Sequence, residues 1–168
     1  MPAYNIIAQN TENTVVSEYT PLPKRAEAYQ SEAQLEKEFI RLLCEVGYIY
    51  LPIHTEADLV ANLRTQLEKL NNYQFTDGEW ERFFQQSIAN ANEGIKEKTR
   101  RIQDGDTAQA FKRDTGESKN IRLLDKKCIH NNTLQVINQY TVSQAEGAAH
   151  DNRYDVTVLV NGLPLVHI

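Results

Sequence analysis

Two apolar segments joined by an Asn-Gly pair constrain the fold of this 168-residue chain more than any other feature. Residues 154–160 and 163–168 are rich in Val, Leu and Ile, as strands are. Asn161-Gly162 lies between them and is a strong short-range hairpin signal, because Asn and Gly accept the positive φ angles of a tight turn. Pro164 has no N–H to donate, so the second strand is expected at a sheet edge or only beyond this residue.

Three helices are predicted upstream, where capping signals precede apolar residues at helical spacing. Ser31 and Thr76 are each followed three residues later by Gln or Glu, which is the pattern of a capping box. Thr55 is a third cap. The predicted helices span residues 31–46, 55–70 and 76–88, and a short strand is predicted over residues 48–53.

Beyond Ile95 the pattern changes to strands, with turn signals at Gly105-Asp106 and at residues 114–116. The strand candidates there are residues 121–124, 133–142 and 154–160. Helices first and hairpin strands later predict an α+β fold, or an α/β-like fold with a mixed sheet flanked by helices.

Residues 1–30 show no sustained period, apart from a strand candidate around residues 13–19, and are interpreted as an N-terminal lead-in. Residues 31–168 are interpreted as one domain that stops inside an unfinished strand, which favours a piece of a longer protein.

Composition excludes several classes of protein. With 40% apolar and 24% charged residues the chain is globular, and it contains no apolar run long enough to span a membrane. The first basic residue, Lys24, comes too late for a signal peptide, so we expect a cytoplasmic protein without a membrane partner. Cys44 and Cys128 are expected to be reduced thiols, with Cys44 a small residue of the core.

Several functional motifs are absent. The chain has no P-loop, so it is not expected to bind ATP itself, and it has neither a dinucleotide fingerprint nor a nucleophile elbow. Cys128 and His130 form a C-x-H pair without the further ligands that a structural zinc site needs.

Asp155 is the candidate site residue, since it opens an otherwise apolar strand. A carboxylate in that position has to be solvated, paired or bound to a metal. A strand-end aspartate that faces water is the plain interpretation. A ligand of Mg²⁺, which prefers few carboxylates together with water and phosphate oxygens, is the alternative.

The register of the hairpin bears on this choice. A three-residue connection over residues 161–163 would pair Val160 with Pro164, Val158 with Val166 and Val156 with Ile168. Asp155 would then face the first position beyond Ile168. A two-residue turn would shift the pairing by one residue and reverse the faces.

The segment Asn-Arg-Tyr-Asp-Val-Thr-Val-Leu-Val-Asn-Gly-Leu-Pro-Leu-Val-His-Ile, residues 152–168, resembles the nuclease-domain hairpin of the R (restriction and motor) subunit of Type I restriction–modification enzymes. Further blocks resemble the same family, and the likeness covers roughly residues 30–168. These blocks are Gln30-Ser31-Glu32, Leu35-Glu36, Gly47-Tyr48, Glu79–Phe83, Gly94-Ile95, Lys98–Arg100 and, as a later strand, Leu124–Lys127.

The resemblance implies a PD-(D/E)xK nuclease fold in which Asp155 is the catalytic, metal-binding aspartate, although Tyr154 stands where many relatives have proline. The family's Glu-x-Lys triplet would begin directly after Ile168, so this chain by itself is expected to be inactive. The whole subunit is expected to cleave double-stranded DNA with Mg²⁺, coupled to translocation by ATP-driven motor domains that this chain lacks. Modification and specificity subunits are the expected protein partners.

An acid on the first helix commonly completes such sites, and Glu32 and Glu36 are the candidates. Glu32 falls nearer the centre of the apolar stripe at about 100° per residue, so it is the predicted second catalytic acid. Stabilisation of the helix dipole is an equally good reason for an acid at Glu32.

Basic residues cluster in two stretches, but acids such as Glu97 and Asp125 are interspersed, so a solvated surface is the plain interpretation. Sequence-independent contact with the DNA backbone is the alternative. The predicted DNA-binding residues are Lys98, Arg100, Arg101, Lys126 and Lys127.

Two other functions remain open at this point. A non-catalytic module would dock a partner protein through the helices predicted at residues 31–46 and 76–88, and a separate DNA-binding regulator is a weaker third.

Overall fold

The computed structural model describes residues 3–9, 15–20, 31–103, 108–142 and 152–168. It divides the chain into two units, Met1–Leu35 and Glu36–Ile168. The turn predicted at Gly105-Asp106 lies outside the described residues.

The first unit contains a β-hairpin within the predicted lead-in. Strand β1 (Ala3–Gln9) pairs antiparallel with β2 (Val15–Thr20). Strand β2 confirms the candidate around residues 13–19, whereas β1 was not expected.

The three predicted helices are confirmed as α1 (Glu32–Glu45), α2 (Glu56–Asn71) and α3 (Asp77–Phe83), the last extended by a π-helical turn to Ile88. Their caps have the expected hydrogen bonds: the backbone N–H of Gln34, Asp58 and Glu79 donates to the hydroxyl of Ser31, Thr55 and Thr76, respectively.

A fourth helix, α4 (Ile95–Gln103), corrects the prediction that strands begin beyond Ile95. Ile95 and Ile102 are the apolar members of this helix, too few for a helical stripe to be recognised in the sequence.

The main sheet has four strands in the order β3, β6, β7, β8. Their ranges are β3 (Ile49–Tyr50), β6 (Leu134–Val142), β7 (Asn152–Val160) and β8 (Leu163–His167). Strand β3 is parallel to β6 and the other pairs are antiparallel, so the predicted mixed sheet is confirmed. Strand β8, with Pro164, is the last strand in this order, as expected.

A separate two-stranded hairpin precedes β6. It pairs β4 (Ala108–Lys112) with β5 (Ser118–Arg122). The turn predicted at residues 114–116 connects these strands, and Gly116 adopts φ 87° there.

Two apolar clusters hold the second unit together. The larger packs α2 and α3 on the β4–β5 hairpin and the start of β8; its most buried members include Leu67, Phe83 and Ile121, each at most 1% exposed. The smaller joins Ile53 to the buried faces of β6 and β7 through Ile137, Tyr140 and Leu159.

Cys44 is exposed on α1, which corrects its prediction as a core residue. Among the described residues, no side chain of α1 is fully buried, so residues next to its apolar stripe, such as Cys44, remain exposed. None of the described helices combines the length and the apolar character needed to cross a membrane.

Candidate functional site

The β7–β8 hairpin turns over two residues, the shorter of the two connections left open by the sequence. Val160 pairs with Leu163, and both turn residues have positive φ, 50° at Asn161 and 81° at Gly162. The predicted pairing of Val160 with Pro164 is therefore wrong. An Asn-Gly pair suits this two-residue turn better than a longer loop, because its twist matches that of the flanking strands.

A register shift in β8 then restores the predicted pairing further along. The shift falls between Val158 and Leu159 of the partner strand, so that Val158 pairs with Val166. The backbones of Val156 and Ile168 exchange both hydrogen bonds, at 3.2 and 2.9 Å. The extra residue in β8 compensates for the shorter turn, and Asp155 precedes the Val156–Ile168 pair as expected.

Asp155 is exposed at this end of the sheet, whereas the next two residues of β7 are buried. On the other side of β7, the register pairs Asn138 with Val156 and Tyr140 with Tyr154. Gln139 and Asp155 are therefore opposed positions on neighbouring strands.

The two candidate acids of α1 differ in their surroundings. Glu32 is the first residue of the helix and is exposed. Glu36 is half-buried, and its carboxylate accepts hydrogen bonds from the side-chain amides of Asn138 and Gln139 at 2.6 and 2.7 Å. Of these two acids, Glu36 thus contacts the strand that faces Asp155.

The chemistry of the donor set is consistent with a hard cation that has few protein ligands. Among residues 31–103, 108–142 and 152–168, no three His, Cys, Asp or Glu side chains are grouped so as to hold a metal. Mg²⁺ is usually bound by one or two carboxylates, with water and phosphate oxygens as the other ligands. Asp155 and Glu36, which belong to the same unit, would make a set of this kind.

The predicted DNA-binding residues lie on α4 and on the loop after β5. The ammonium of Lys126 donates to the backbone carbonyl of Gln103, the last residue of α4, at 2.9 Å. The structure thus brings this loop to the end of the helix that carries Lys98, Arg100 and Arg101. We call these three residues with Lys126 and Lys127 the basic face.

Arg101 differs from the rest of the basic face. Its guanidinium pairs with the carboxylate of Glu93 and donates to the carbonyl of Ser87, and its side chain is only 19% exposed. Arg101 therefore joins α4 to the preceding loop, whereas Arg100, Lys126 and Lys127 are exposed.

Asp125 fixes the loop of the basic face. Residues 124–127, which resemble a strand of the family, form a loop here instead. The Asp125 carboxylate accepts from the backbone N–H groups of Cys128 and Lys127, at 2.9 and 3.1 Å, and from the Asn131 amide at 2.9 Å. The Cys128 and Asn131 donors above all hold the pKa of Asp125 at about 2. Asp125 therefore stabilises this loop. The two lysines that follow it in the sequence give no indication of this structural role.

Glu79, in the block that resembles the family, also has a structural role. Its carboxylate is buried and accepts from the backbone N–H of Asp114, from the Tyr73 hydroxyl and from the backbone N–H of Thr76. These hydrogen bonds, with that from Asp114 first, lower the pKa of Glu79. The network ties the start of α3 to the β4–β5 turn.

The family described as "Type I restriction enzyme R protein N terminus" matches residues 29–168. The Type I restriction enzyme EcoprrI endonuclease subunit of Escherichia coli is 44% identical over 163 residues, which cover 96% of this chain and 50% of that protein.

Staphylococcal relatives match over a similar stretch. The Type I restriction enzyme SsaAORF53P endonuclease subunit of Staphylococcus saprophyticus is 37% identical over 83% of this chain and 14% of its own length. The SauMSSORF170P endonuclease subunit of Staphylococcus aureus is 35% identical over 84% and 15%, respectively. The chain thus spans half the length of the first relative and a much smaller part of the staphylococcal ones.

Proposed function

The chain belongs to the family of Type I restriction enzyme R protein N-termini, and from this premise we propose that it forms part of the nuclease domain of an R subunit. In the proposed role the whole subunit cleaves double-stranded DNA by Mg²⁺-dependent hydrolysis of a phosphodiester bond. Cleavage is coupled to ATP-driven translocation by motor domains outside this chain. Modification and specificity subunits are the proposed partners, and the cytoplasm is the proposed location.

The observation that carries the proposal is the placement of Asp155. It is an exposed carboxylate in the first half of β7, directly before the buried Val156, and it is opposed to Gln139, which in turn contacts Glu36. The register also supports a PD-(D/E)xK fold. In a longer chain the residue after Ile168 would stand opposite Asp155, where the family pattern has the Glu of Glu-x-Lys.

The proposed roles follow from the residue types. Asp155 and one acid of α1, Glu32 or Glu36, would hold the cation. The ion, when bound, polarises the phosphate and supplies hydroxide at neutral pH. The basic face, apart from Arg101 with its internal partners, would contact the DNA backbone without reading its sequence. Of the two acids, Glu36 is favoured because its carboxylate contacts Asn138 and Gln139. Comparing Glu32→Gln with Glu36→Gln in a cleavage assay decides between the two.

The main test is Asp155→Ala in the full-length subunit, assembled with its partner subunits. DNA cleavage should be lost while ATP hydrolysis stays near normal, because the cation ligand lies in this region and the P-loop does not. Asp77→Ala is the matched control, since Asp77 is 97% exposed on α3 and should leave both activities unchanged. Cleavage that survives in Asp155→Ala would remove Asp155 from the site.

A second test addresses the basic face. Lys98→Glu combined with Arg100→Glu should weaken DNA binding by the subunit and make its salt dependence shallower, because fewer counterions are released on binding. Lys37→Glu combined with Lys69→Glu, two exposed positions on α1 and α2, is the control for the same change of net charge. Equal salt slopes in both variants would favour a merely solvated surface.

The alternative function, a module that docks a partner protein through two helices, is less well supported for α3 than for α1. Trp80 and Phe83 of α3 are buried in the core, at 8% and 1% exposure, so this helix has no apolar face left for a partner. Leu42 of α1 and Val46, the first residue after this helix, are 46% and 72% exposed, which favours a protein contact at this end of α1. Val46→Asp would then weaken assembly of the subunit with its partners without abolishing cleavage by the assembled complex.

A further inference from the structure

Two consecutive residues of β6 hold one carboxylate. Asn138 Nδ2 donates to Glu36 Oε1 at 2.6 Å, and Gln139 Nε2 donates to Glu36 Oε2 at 2.7 Å. Consecutive side chains of a regular strand point to opposite faces of the sheet, so both could not reach the same group. Gln139 adopts φ 57°, in the left-handed region, and this local break in the strand lets both amides meet Glu36.

The orientation of the Asn138 amide is itself fixed. The Tyr50 hydroxyl, on β3, donates to Asn138 Oδ1 at 2.8 Å. Because the oxygen of the amide accepts from Tyr50, its nitrogen is left to donate to Glu36. Residues from β3, β6 and α1, up to 103 positions apart in sequence, thus form one hydrogen-bonded chain.

The left-handed conformation of Gln139 is unfavourable for a residue with a long side chain. Such outliers persist only where the surroundings fix them, and they cluster at functional sites. Here the outlier occurs at the β6 position opposed to Asp155.

The hydrogen bonds leave Glu36 able to bind a cation. Each carboxylate oxygen can accept at about two positions, and each amide occupies one. Carboxylates that ligate metals are commonly oriented by such outer hydrogen bonds, and removing these costs about 10–100-fold in metal affinity.

We propose that Asn138 and Gln139 are positioning residues that hold the Glu36 carboxylate in one orientation as a ligand of the cation that Asp155 binds. Tyr50 acts one step further out by orienting Asn138. This inference rests on the proposed function, which assigns a divalent cation to Asp155, and it adds the residues that make Glu36 an effective second ligand.

The experiment is a titration of the 168-residue chain with Mn²⁺, followed by paramagnetic broadening of its amide NMR signals, which detects weak binding without requiring activity. Gln139→Gly and Asn138→Leu should each weaken Mn²⁺ binding about 10-fold or more. Asn120→Ala, an exposed amide residue of β5, is the matched control and should not change it.

Thermal unfolding separates positioning from structural damage. Glycine adopts a φ of 57° without strain, which offsets the lost hydrogen bond to Glu36, so Gln139→Gly should unfold close to the temperature of the parent chain while binding Mn²⁺ more weakly. A structural role for Gln139 would lower the unfolding temperature together with the affinity, and that result would overturn the proposal.

A double-mutant cycle tests whether the effect passes through Glu36. In the Glu36→Gln background, adding Gln139→Gly should cause no further loss of Mn²⁺ affinity. An undiminished further loss, or parental affinity in Gln139→Gly, overturns the positioning role. Asp155→Asn tests the cation site separately from the positioning of Glu36. If this variant leaves Mn²⁺ binding unchanged, the proposed cation site itself is wrong.

Discussion

At its carboxyl end strand β7 enters a turn that is almost fully buried, whereas near its amino end Asp155 is exposed. Asn161, only 1% exposed, donates to the Leu123 carbonyl and to Asn132 Oδ1, and its own Oδ1 accepts from the backbone N–H of Thr133. Gly162 lies directly against helix α2. One strand therefore has an anchored end and an open end.

The contrast extends to the acids near each end. Asp125 belongs to the anchored end, since Asn132 contacts both its backbone and Asn161, and its carboxylate is taken up by internal donors. Asp155 is exposed to solvent at the open end. A carboxylate whose acceptor positions are filled within the protein stabilises a loop, whereas one that keeps them open is available to a ligand.

The largest expected effect is that of Gly162→Ala. An added Cβ would lie 2.6 Å from Leu63 Cα, and this helix backbone cannot give way as a flexible side chain would. This clash and the positive φ of Gly162 should together lower the free energy of unfolding by about 3–4 kcal/mol, measured by urea denaturation. Gly116→Ala is the control: its φ is 87° but nothing lies within 4 Å, so it should cost only about 1 kcal/mol. Equal losses would show that the turn is not packed against α2.

Asn161→Ala comes next, with an expected loss of about 2–3 kcal/mol. It leaves the Leu123 carbonyl and the Thr133 N–H without their partner in a buried place. Asn72→Ala is the matched control, because Asn72 also has a positive φ, 46°, but is exposed at the end of α2. If both variants lose the same stability, the conformation of Asn161 matters and its hydrogen bonds do not.

Much of this fold follows from local sequence signals. Helix caps need only a residue and its neighbour three positions on, as at Ser31 and Thr76, and the turn at Asn161-Gly162 needs only two residues with positive φ. Helix α4 was missed because a highly charged, exposed helix has no apolar stripe. The exposure of Cys44 could not be foreseen either, since it depends on what packs against α1.

The candidate site was less predictable than the fold. Asp155 stands out as an acid in an apolar strand, but the contact of Glu36 with Asn138 and Gln139 joins positions more than 100 residues apart. The one local trace is the Asn-Gln pair inside an apolar strand. Glutamine gives no signal for a left-handed conformation, so the arrangement of these side chains becomes visible only in the structure.

A third prediction uses pH to test the anchored end. The pKa of Asp125 is about 2 in the folded chain, below its ordinary value of 3.8, so its carboxylate stabilises the fold fully above the ordinary pKa. Asp125→Asn should therefore lower the free energy of unfolding at neutral pH, less than Asn161→Ala does because Asn keeps the shape of the side chain.

The deficit of Asp125→Asn relative to the parent should shrink as pH falls from about 4 towards 2, where the parent also loses the charge. Urea denaturation across this range measures it, and Glu117→Gln, an exposed residue in the β4–β5 turn, is the control. A deficit that stays constant down to pH 2 would mean that the charge of Asp125 does not hold the loop.

The smallest expected effect on stability belongs to Asp155→Ala. Because Asp155 is exposed at the open end, its removal should change the free energy of unfolding by no more than about 0.5 kcal/mol. The same variant should show the largest loss of Mn²⁺ broadening. Asp155→Ala should therefore lose more cation binding than Gly162→Ala, whereas Gly162→Ala should lose more stability. Urea denaturation and the NMR titration, run on the same samples, give both quantities. A loss of stability comparable to that of Asn161→Ala would make Asp155 a structural residue, and the two ends of β7 would then not differ in kind.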